Sequence, residues 1–128
     1  MAKLLMRVKG LAGSAMVFRR LSGPLERLRG LLFTQRDAAP VVLMRCASVH
    51  TFGMAYPIDI AFVGQGGVVL ETRIAVGPGK VLSNGRAAMV CERPHAEAPW
   101  LYPGQRVEIK TIEGSGRCSQ SCNESKET

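Results

Sequence analysis

Hydrophobic and polar residues alternate along much of the chain that follows Pro40, a pattern typical of half-buried β-strands. One alternating run covers residues 58–63, and a second covers residues 68–74. The glycine-rich loop at residues 64–67 separates the two runs. Two alternating runs around such a loop predict a β-hairpin.

The rest of the chain after Pro40 follows the same plan. Further strands are predicted at residues 41–44, 87–92 and 107–111. Turns are predicted where glycine, proline and asparagine cluster, at residues 77–79, 84–85 and 103–104. This regular succession of short strands and turns predicts a mainly β fold, either an antiparallel sandwich or a jelly-roll-like barrel.

The first forty residues differ from the rest. Residues 3–18 have an extended pattern, and a short helix is predicted at about residues 23–30. Pro24 suits the first helical position, and Gly30 can end the helix. One face of this helix would be apolar, since leucines recur at helical spacing at positions 21, 25, 28 and 32. We expect so short a helix to dock on the β-strands, because it cannot be stable alone.

Length and composition place these elements in one domain. A chain of 128 residues with 46% hydrophobic and 21% charged residues has an ordinary globular balance, so a wholly disordered chain is excluded. We predict a single β-rich domain over residues 1–113. Residues 114–128 are rich in serine, glycine and charge, and are predicted to be a disordered tail. There is no internal repeat, and no apolar run is long enough to predict a membrane span.

The net charge of +7 comes from the N-terminal end. Residues 1–36 hold eight basic residues and one acidic residue, whereas residues 37–128 hold nine of each. A basic surface that includes Arg19, Arg20 and Arg27 could bind nucleic acid or another anionic partner through counterion release. The alternative is that these side chains only solvate the surface, since no aromatic residues alternate with them as stacking platforms.

The cysteines and the N-terminus bear on location and cofactors. Cys118 and Cys122 have a C-x3-C spacing without a second pair or a nearby histidine, which falls short of a zinc site. His50, Asp59 and the distant His95 would give a metal ion too few ligands, so no metal and no cofactor are predicted. Whether Cys118 and Cys122 form a disulfide stays open.

The apolar stretch at residues 11–18 is too short for a secretory signal and is followed at once by two arginines. We therefore predict a cytoplasmic protein.

Polar side chains are densest between residues 45 and 59. Asp59 lies in a predicted strand whose neighbours Ile58 and Ile60 face the core, so its carboxyl group faces either water or the opposite face of the sheet. If it is buried, it needs hydrogen-bond donors, which Thr51, His50 or an arginine could supply. The candidate ligand-binding residues in this segment are Arg45, Ser48, His50, Thr51, Met54 and Asp59.

The same segment resembles a known family. The sequence Arg29-Gly30-Leu31 at the predicted helix end, Met54, and Pro57-Ile58-Asp59 on the following strand are similar to the pattern of the family called domain of unknown function 192. The similarity extends from about Ala15 to Ile109 and includes Gly77-Pro-Gly79 and Pro103-Gly104. These are small bacterial and archaeal proteins of uncharacterised function. The resemblance implies a β-rich sandwich and no particular activity.

The sequence also departs from that family. Many members have tryptophan-methionine-lysine-asparagine-threonine where this chain has residues 52–56, and many have a glycine after the late glutamate strand. Here Glu92 is followed by Arg93-Pro-His95, and Trp100 ends the segment. We expect His95 and Trp100 to cover the sheet rather than bind a cofactor.

Three functions are compatible with these residues, beside a purely structural role in which Asp59, Thr51 and Arg45 fix a loop to the sheet. The first is a non-enzymatic binding or accessory protein, with a polar recess around residues 45–59 for a small polar ligand or a peptide. The second is the basic surface described above. The third is a hydrolase-like enzyme, in which Ser48 or Cys46 is the nucleophile, His50 is the general base and Asp59 orients His50. It requires that residues 46–50 form one continuous alternating strand. Catalytic residues are not predicted, and the oligomeric state is left open.

Overall fold

The fold is mainly β, as predicted. The computed structural model describes residues 3–8, 15–21 and 40–112. The predicted helix at about residues 23–30 and the predicted tail at residues 114–128 lie outside these ranges. The strands within them are β1 (Lys3–Val8), β2 (Ala15–Leu21), β3 (Val41–Met44), β4 (Ser48–His50), β5 (Ile58–Gly64), β6 (Val69–Val76), β7 (Val81–Ser83), β8 (Ala87–Pro94) and β9 (Val107–Ile112).

Seven of these strands form one sheet, in the order β6-β5-β8-β3-β2-β1-β9. Every neighbouring pair in it is antiparallel except β2 and β3, which are parallel. The predicted hairpin is confirmed, because β5 and β6 pair with Ala61 opposite Thr72. Strands β4 and β7 form a separate two-stranded sheet.

The seven-stranded sheet is buried on both faces where β5 lies. All seven residues of β5 are buried, whereas the alternating pattern predicted a strand with only one face in the core. One core, here called the inner core, receives side chains from all seven strands, among them Phe18, Val63 and Val107. The other, the outer core, contains Ile58, Ile60 and Phe62 of β5 and is covered by residues of β4, β7 and the segment 51–57.

The two edge strands of the sheet, β6 and β9, come together where they begin. Val68 and Arg106 form an isolated antiparallel bridge, and the Val69 N–H donates to the Gln105 carbonyl over 2.8 Å. Gly67 has a positive φ of 86°, and a Cβ atom at this position would lie 2.5 Å from the Val107 carbonyl oxygen. Glycine is required here because the backbones approach too closely for a side chain.

Among the described residues, no helix is long and apolar enough to cross a membrane.

Candidate functional site

Asp59 is fully buried on the inner-core face of β5. Its side chain has no solvent exposure and lies on the same face as Ala61, opposite Ile58 and Ile60. Of the two orientations that the sequence left open, the one towards the opposite sheet face is therefore correct. The carboxylate accepts three hydrogen bonds, from the Ala75 N–H at 2.8 Å, from Arg93 Nε at 2.8 Å, and from His95 Nδ1 at 2.9 Å.

A β-bulge brings the first of these donors to Asp59. The pairing of β5 with β6 shifts by a residue between Ile58 and Ile60, and Ala75 adopts a positive φ of 55° there. A bulge redirects the groups next to it, and here the freed N–H of Ala75 points to the carboxylate instead of to β5. The strand irregularity thus contributes directly to the burial of the charge.

Arg93 is the main cationic partner of Asp59. It lies directly opposite Asp59 in the register of β5 and β8, and its side chain is only 10% exposed. Its remaining guanidinium N–H groups donate to the carbonyls of Ala96, Ala98 and Pro99, at 3.2, 2.6 and 3.1 Å. The guanidinium also lies 4.8 Å from the centre of the Trp100 ring. Arg93 therefore holds the segment after β8 over one end of the inner core.

His95 completes the group around Asp59. Its backbone N–H donates to the Pro57 carbonyl over 3.0 Å, which fixes the residue beside the start of β5. Its Nε2 atom lies 3.7 Å from Glu97, and the side chain is 29% exposed. The arrangement is an aspartate–histidine pair with one ring nitrogen towards the surface. Trp100 packs against the inner core, as expected of a residue that covers the sheet.

The pKa of Asp59 is set by opposing effects. Burial raises it, but the hydrogen bonds from Ala75, Arg93 and His95 and the charge of Arg93 outweigh burial, so the pKa lies below its ordinary value. A carboxyl group with a depressed pKa in the folded state contributes stability above its unfolded pKa of about 3.9, and this contribution is lost as the pH falls through the lower folded value.

We therefore expect the Asp59→Asn variant to be less stable than the wild type near neutral pH. The difference in their free energies of unfolding should be largest there and should shrink as the pH drops below about 4. Urea unfolding at a series of pH values measures it. Glu97→Gln is the control, because that side chain is fully exposed, and it should show no such trend. A deficit for Asp59→Asn that stays constant into acid would contradict the pKa assignment.

The structure does not gather the predicted cluster of residues 45–59 into one site. Thr51 is buried, but its hydroxyl donates to the Gly77 carbonyl and accepts from the Lys80 N–H, both at 2.8 Å, instead of contacting Asp59. It fixes the segment after β4 to the β6–β7 turn, which is the loop-fixing role weighed as an alternative. Met54 lies in the outer core.

His50 and Ser48 are exposed residues of β4. The Nδ1 atom of His50 accepts from the Phe52 N–H over 3.2 Å, so neither Asp59 nor a nucleophile is its partner there. The continuous strand over residues 46–50 that the nucleophile hypothesis requires does not form, since β4 begins at Ser48 and Arg45 adopts a left-handed backbone with φ of 51°. The Cys46 thiol points to the Ser48 carbonyl at 3.2 Å. The geometry that the nucleophile hypothesis required is therefore absent.

The two histidines have separate partners. His95 meets Asp59, but the His50 ring lies against Phe52. Within the described ranges, no three histidine, cysteine, aspartate or glutamate side chains are grouped so that they could hold a metal ion.

Arg45 lies at the opposite end of the sheet from Asp59, just beyond β3. Met44 pairs with Met89 there, whereas Asp59 pairs with Arg93 four residues along β8. A recess of about 530 Å³ opens at this end. It is lined by Met44, Arg45, Cys46, Ala47, the loop 64–67, Ala87, Ala88, Met89, Val107 and Ile109. Of the six candidate ligand-binding residues, only Arg45 lines it.

Of the predicted basic residues, Arg19 and Arg20 lie on β2, and Arg27 lies outside the described residues. Arg19 pairs in register with Lys3. The Nε atom of Arg20 is enclosed, with no hydrogen-bond partner among the residues that the structure describes. The three arginines are thus not shown to form one surface.

Sequence reasoning missed Arg93 as the partner of Asp59. The available signal was a charged residue directly after the strand predicted at residues 87–92, together with an aspartate within another predicted strand. Since two buried charges must be paired, those two residues could have been matched, but only if β5 and β8 were known to be neighbours.

Two solved structures share this fold. A protein of unknown function from Novosphingobium aromaticivorans DSM 12444 has a TM-score of 0.66 and 26% sequence identity, over 81% of this chain and 83% of that chain. A protein from Sinorhizobium meliloti 1021, described as a "putative transcription regulator", has a TM-score of 0.70 and 16% identity, over 84% of this chain and 92% of that chain. No family model and no curated protein matches the sequence. These likenesses show a β fold that the chain shares with both proteins.

Proposed function

We propose that this protein is a non-enzymatic binding protein and that its ligand occupies the recess beside Arg45. The observation that carries the proposal is the backbone of Arg45, which holds a left-handed conformation at the recess wall. For a residue with a side chain, that conformation costs roughly 1–2 kcal/mol. Such strain tends to persist at functional sites, where it places a group that the function needs.

The lining of the recess indicates the chemistry of the ligand. Met44, Met89 and Val107 offer an apolar wall, and Arg45 offers a permanent positive charge. The glycine-rich loop 64–67 lies beside them. A small organic anion with a short apolar part, such as a carboxylate, fits this combination, since the guanidinium can bind a carboxylate through two hydrogen bonds.

The Arg45→Gly variant tests the proposal. Glycine adopts a left-handed backbone without strain, so we expect the variant to unfold at the same or a higher urea concentration, with a gain of up to about 1 kcal/mol. It removes the guanidinium, so a carboxylate that raises the melting temperature of the wild type should no longer do so. A thermal-melt screen of short-chain carboxylates against both proteins is the measurement.

Ala75→Gly is the matched control, because Ala75 has the same backbone conformation and is not among the residues that line the recess. It should relieve comparable strain and bind carboxylates as the wild type does. Retained carboxylate binding in Arg45→Gly, or no response of the wild type to any carboxylate, would contradict the proposed function.

As part of this proposal, the seven-stranded sheet is a barrel closed through the Val68–Arg106 bridge, with the recess at its open end and Trp100 at the other. Closure is supported because all seven strands contribute residues to the inner core.

We also propose a distant relationship to the domain of unknown function 192 family, supported by the position of Asp59 at the start of a buried strand. Residence in the cytoplasm is proposed too, because Cys46 and Cys91 are free thiols.

A second candidate function is binding of a nucleic acid. Two observations favour it: the basic charge of the N-terminal end, and the description of the Sinorhizobium meliloti protein with the same fold as a "putative transcription regulator". The salt dependence of oligonucleotide binding tests it, since neutralised phosphates release counterions and the affinity then falls steeply as salt rises.

A further inference from the structure

Strand β1 presents a basic outer face. Its burial alternates, so Leu4, Met6 and Val8 enter the inner core, while Lys3 and Arg7 are exposed and Leu5 is half-buried between them. Because successive side chains of a strand point to opposite faces, Lys3, Leu5 and Arg7 lie on the face away from the inner core.

The strands on either side of β1 extend this face. On β9, Lys110 pairs with Leu5 and Glu108 pairs with Arg7. On β2, Arg19 pairs with Lys3, and Val17, which is 49% exposed, pairs with Leu5. Paired residues share a face, so the basic residues of this face and the acidic Glu108 lie around Leu5 and Val17.

A groove of about 280 Å³ runs between β1 and β9 on this face. It is lined by Leu5, Arg7, Glu108, Ile109 and Lys110. Arg7 and Lys110 are exposed cations at its sides, and Leu5 provides an apolar contact between them. Charge and apolar surface are therefore combined in one concave site.

We propose that this groove binds one nucleotide unit of a single-stranded nucleic acid. Arg7 and Lys110 contact consecutive phosphates, and Leu5 contacts the sugar or the base. The proposal rests on the second candidate function and assigns it to a face of the sheet that includes Arg19.

The spacing of the cations favours a ligand that carries a row of phosphates rather than a single anion. Lys3, Lys110 and Arg7 occupy successive outward positions along β1 and β9, because Lys110 lies opposite Leu5. Each step is two residues along the strand direction and crosses to the neighbouring strand, so consecutive cations are diagonal neighbours roughly 7–8 Å apart. That distance is comparable to the separation of consecutive phosphates in an extended nucleic acid strand.

The size and surface of the groove exclude a duplex and disfavour a membrane. A double helix cannot enter a groove that holds one nucleotide, so only a single strand reaches Leu5. Proteins that lie on a membrane insert aromatic and leucine side chains into it, whereas the apolar residues here are Val17, Ile109 and the half-buried Leu5, none of which is aromatic. Contacts to phosphate and sugar carry little sequence information, so we expect binding without strong sequence preference.

The test is fluorescence anisotropy of a labelled single-stranded oligonucleotide, in DNA and RNA forms, with the full chain. We expect the wild type to bind it. The logarithm of the association constant should fall linearly with the logarithm of the salt concentration, with a slope of about −2 to −3, which corresponds to three or four phosphate contacts. The double variant Arg7→Gln with Lys110→Gln should bind about ten- to hundredfold more weakly at low salt and should reduce the slope by about 1.4.

The matched control is Lys80→Gln with Arg86→Gln, which removes the same net charge from exposed positions away from the groove. It should bind nearly as the wild type does. Equal weakening by both double variants would overturn the groove as the site while leaving nucleic-acid binding in place. No oligonucleotide binding by the wild type, or binding only to vesicles of anionic lipid, would overturn the second candidate function itself.

Discussion

Replacement of Arg93 by methionine is expected to cost about 3–5 kcal/mol of the free energy of unfolding. Methionine retains most of the volume of the side chain but leaves the fully buried carboxylate of Asp59 without its cationic partner. Removal of one member of a buried ion pair has an effect of this size, because the remaining charge stays in the core. Three backbone carbonyls that accept from Arg93 lose their donor as well. Urea unfolding at neutral pH is the measurement.

Arg86→Met is the control for this variant, since Arg86 is exposed and the same change should alter stability by less than about 0.5 kcal/mol. The double variant of Arg93→Met with Asp59→Asn should lose less stability than the sum of the two single changes, because it no longer buries an unpaired charge. Strict additivity, or a cost for Arg93→Met equal to that of the control, would show that the ion pair does not stabilise the fold.

Replacement of Gly67 by alanine is expected to destabilise the fold by about 2–5 kcal/mol. The positive φ of this residue would strain any side chain by roughly 1–2 kcal/mol. In addition, the new Cβ atom would lie 2.5 Å from the Val107 carbonyl oxygen, so the backbones of β9 and the loop before β6 must separate. Displacement of well-packed groups adds about 1–3 kcal/mol.

Gly79→Ala separates these two costs. Gly79 has a φ of 85°, almost the same as that of Gly67, but a Cβ atom there would have no neighbour within 4 Å. It should show the strain alone, about 1–2 kcal/mol. The excess for Gly67→Ala, measured by urea unfolding, reports the contact that joins the two ends of the sheet. Equal costs for the two variants would argue against the proposed barrel closure.

The turns and the longer strands after Pro40 could be predicted because their signals are local, whereas the three-residue strands β4 and β7 were not predicted. Alternation identified β5, β6, β8 and β9, and glycine and proline marked the turns between them. Burial of both faces of β5 could not be read from the same pattern. A strand that alternates between large and small or polar residues is typical of a sheet with one covered face, and here the second face is covered by distant strands and by Trp100.

The candidate site shows the same division. Asp59 in an apolar strand was predicted to face either water or the opposite face of the sheet, and to need donors if it is buried. It is buried, and it has three donors. Of the donors that the sequence offered, Thr51, His50 or an arginine, the arginine is correct. Thr51 and His50 are not donors, because the Thr51 hydroxyl bonds to the β6–β7 turn and His50 lies in the separate two-stranded sheet. Arg93, 34 residues away, supplies the charge instead.

The sequence by itself determined that this protein is mainly β, where its hairpin and turns lie, and which acid would need partners if buried. Strand periodicity, turn chemistry and the cost of a buried charge decide these features, because all three depend on residue type and near neighbours. Only the tertiary structure decided which residues meet. The pairing of β5 with β8 joined Asp59 to Arg93, the bulge in β6 turned the Ala75 N–H towards the carboxylate, and the pairing of β1 with β9 placed Lys110 beside Leu5. Each of these contacts is fixed by the register of strands that are distant in sequence, and register follows from the packing of the whole core.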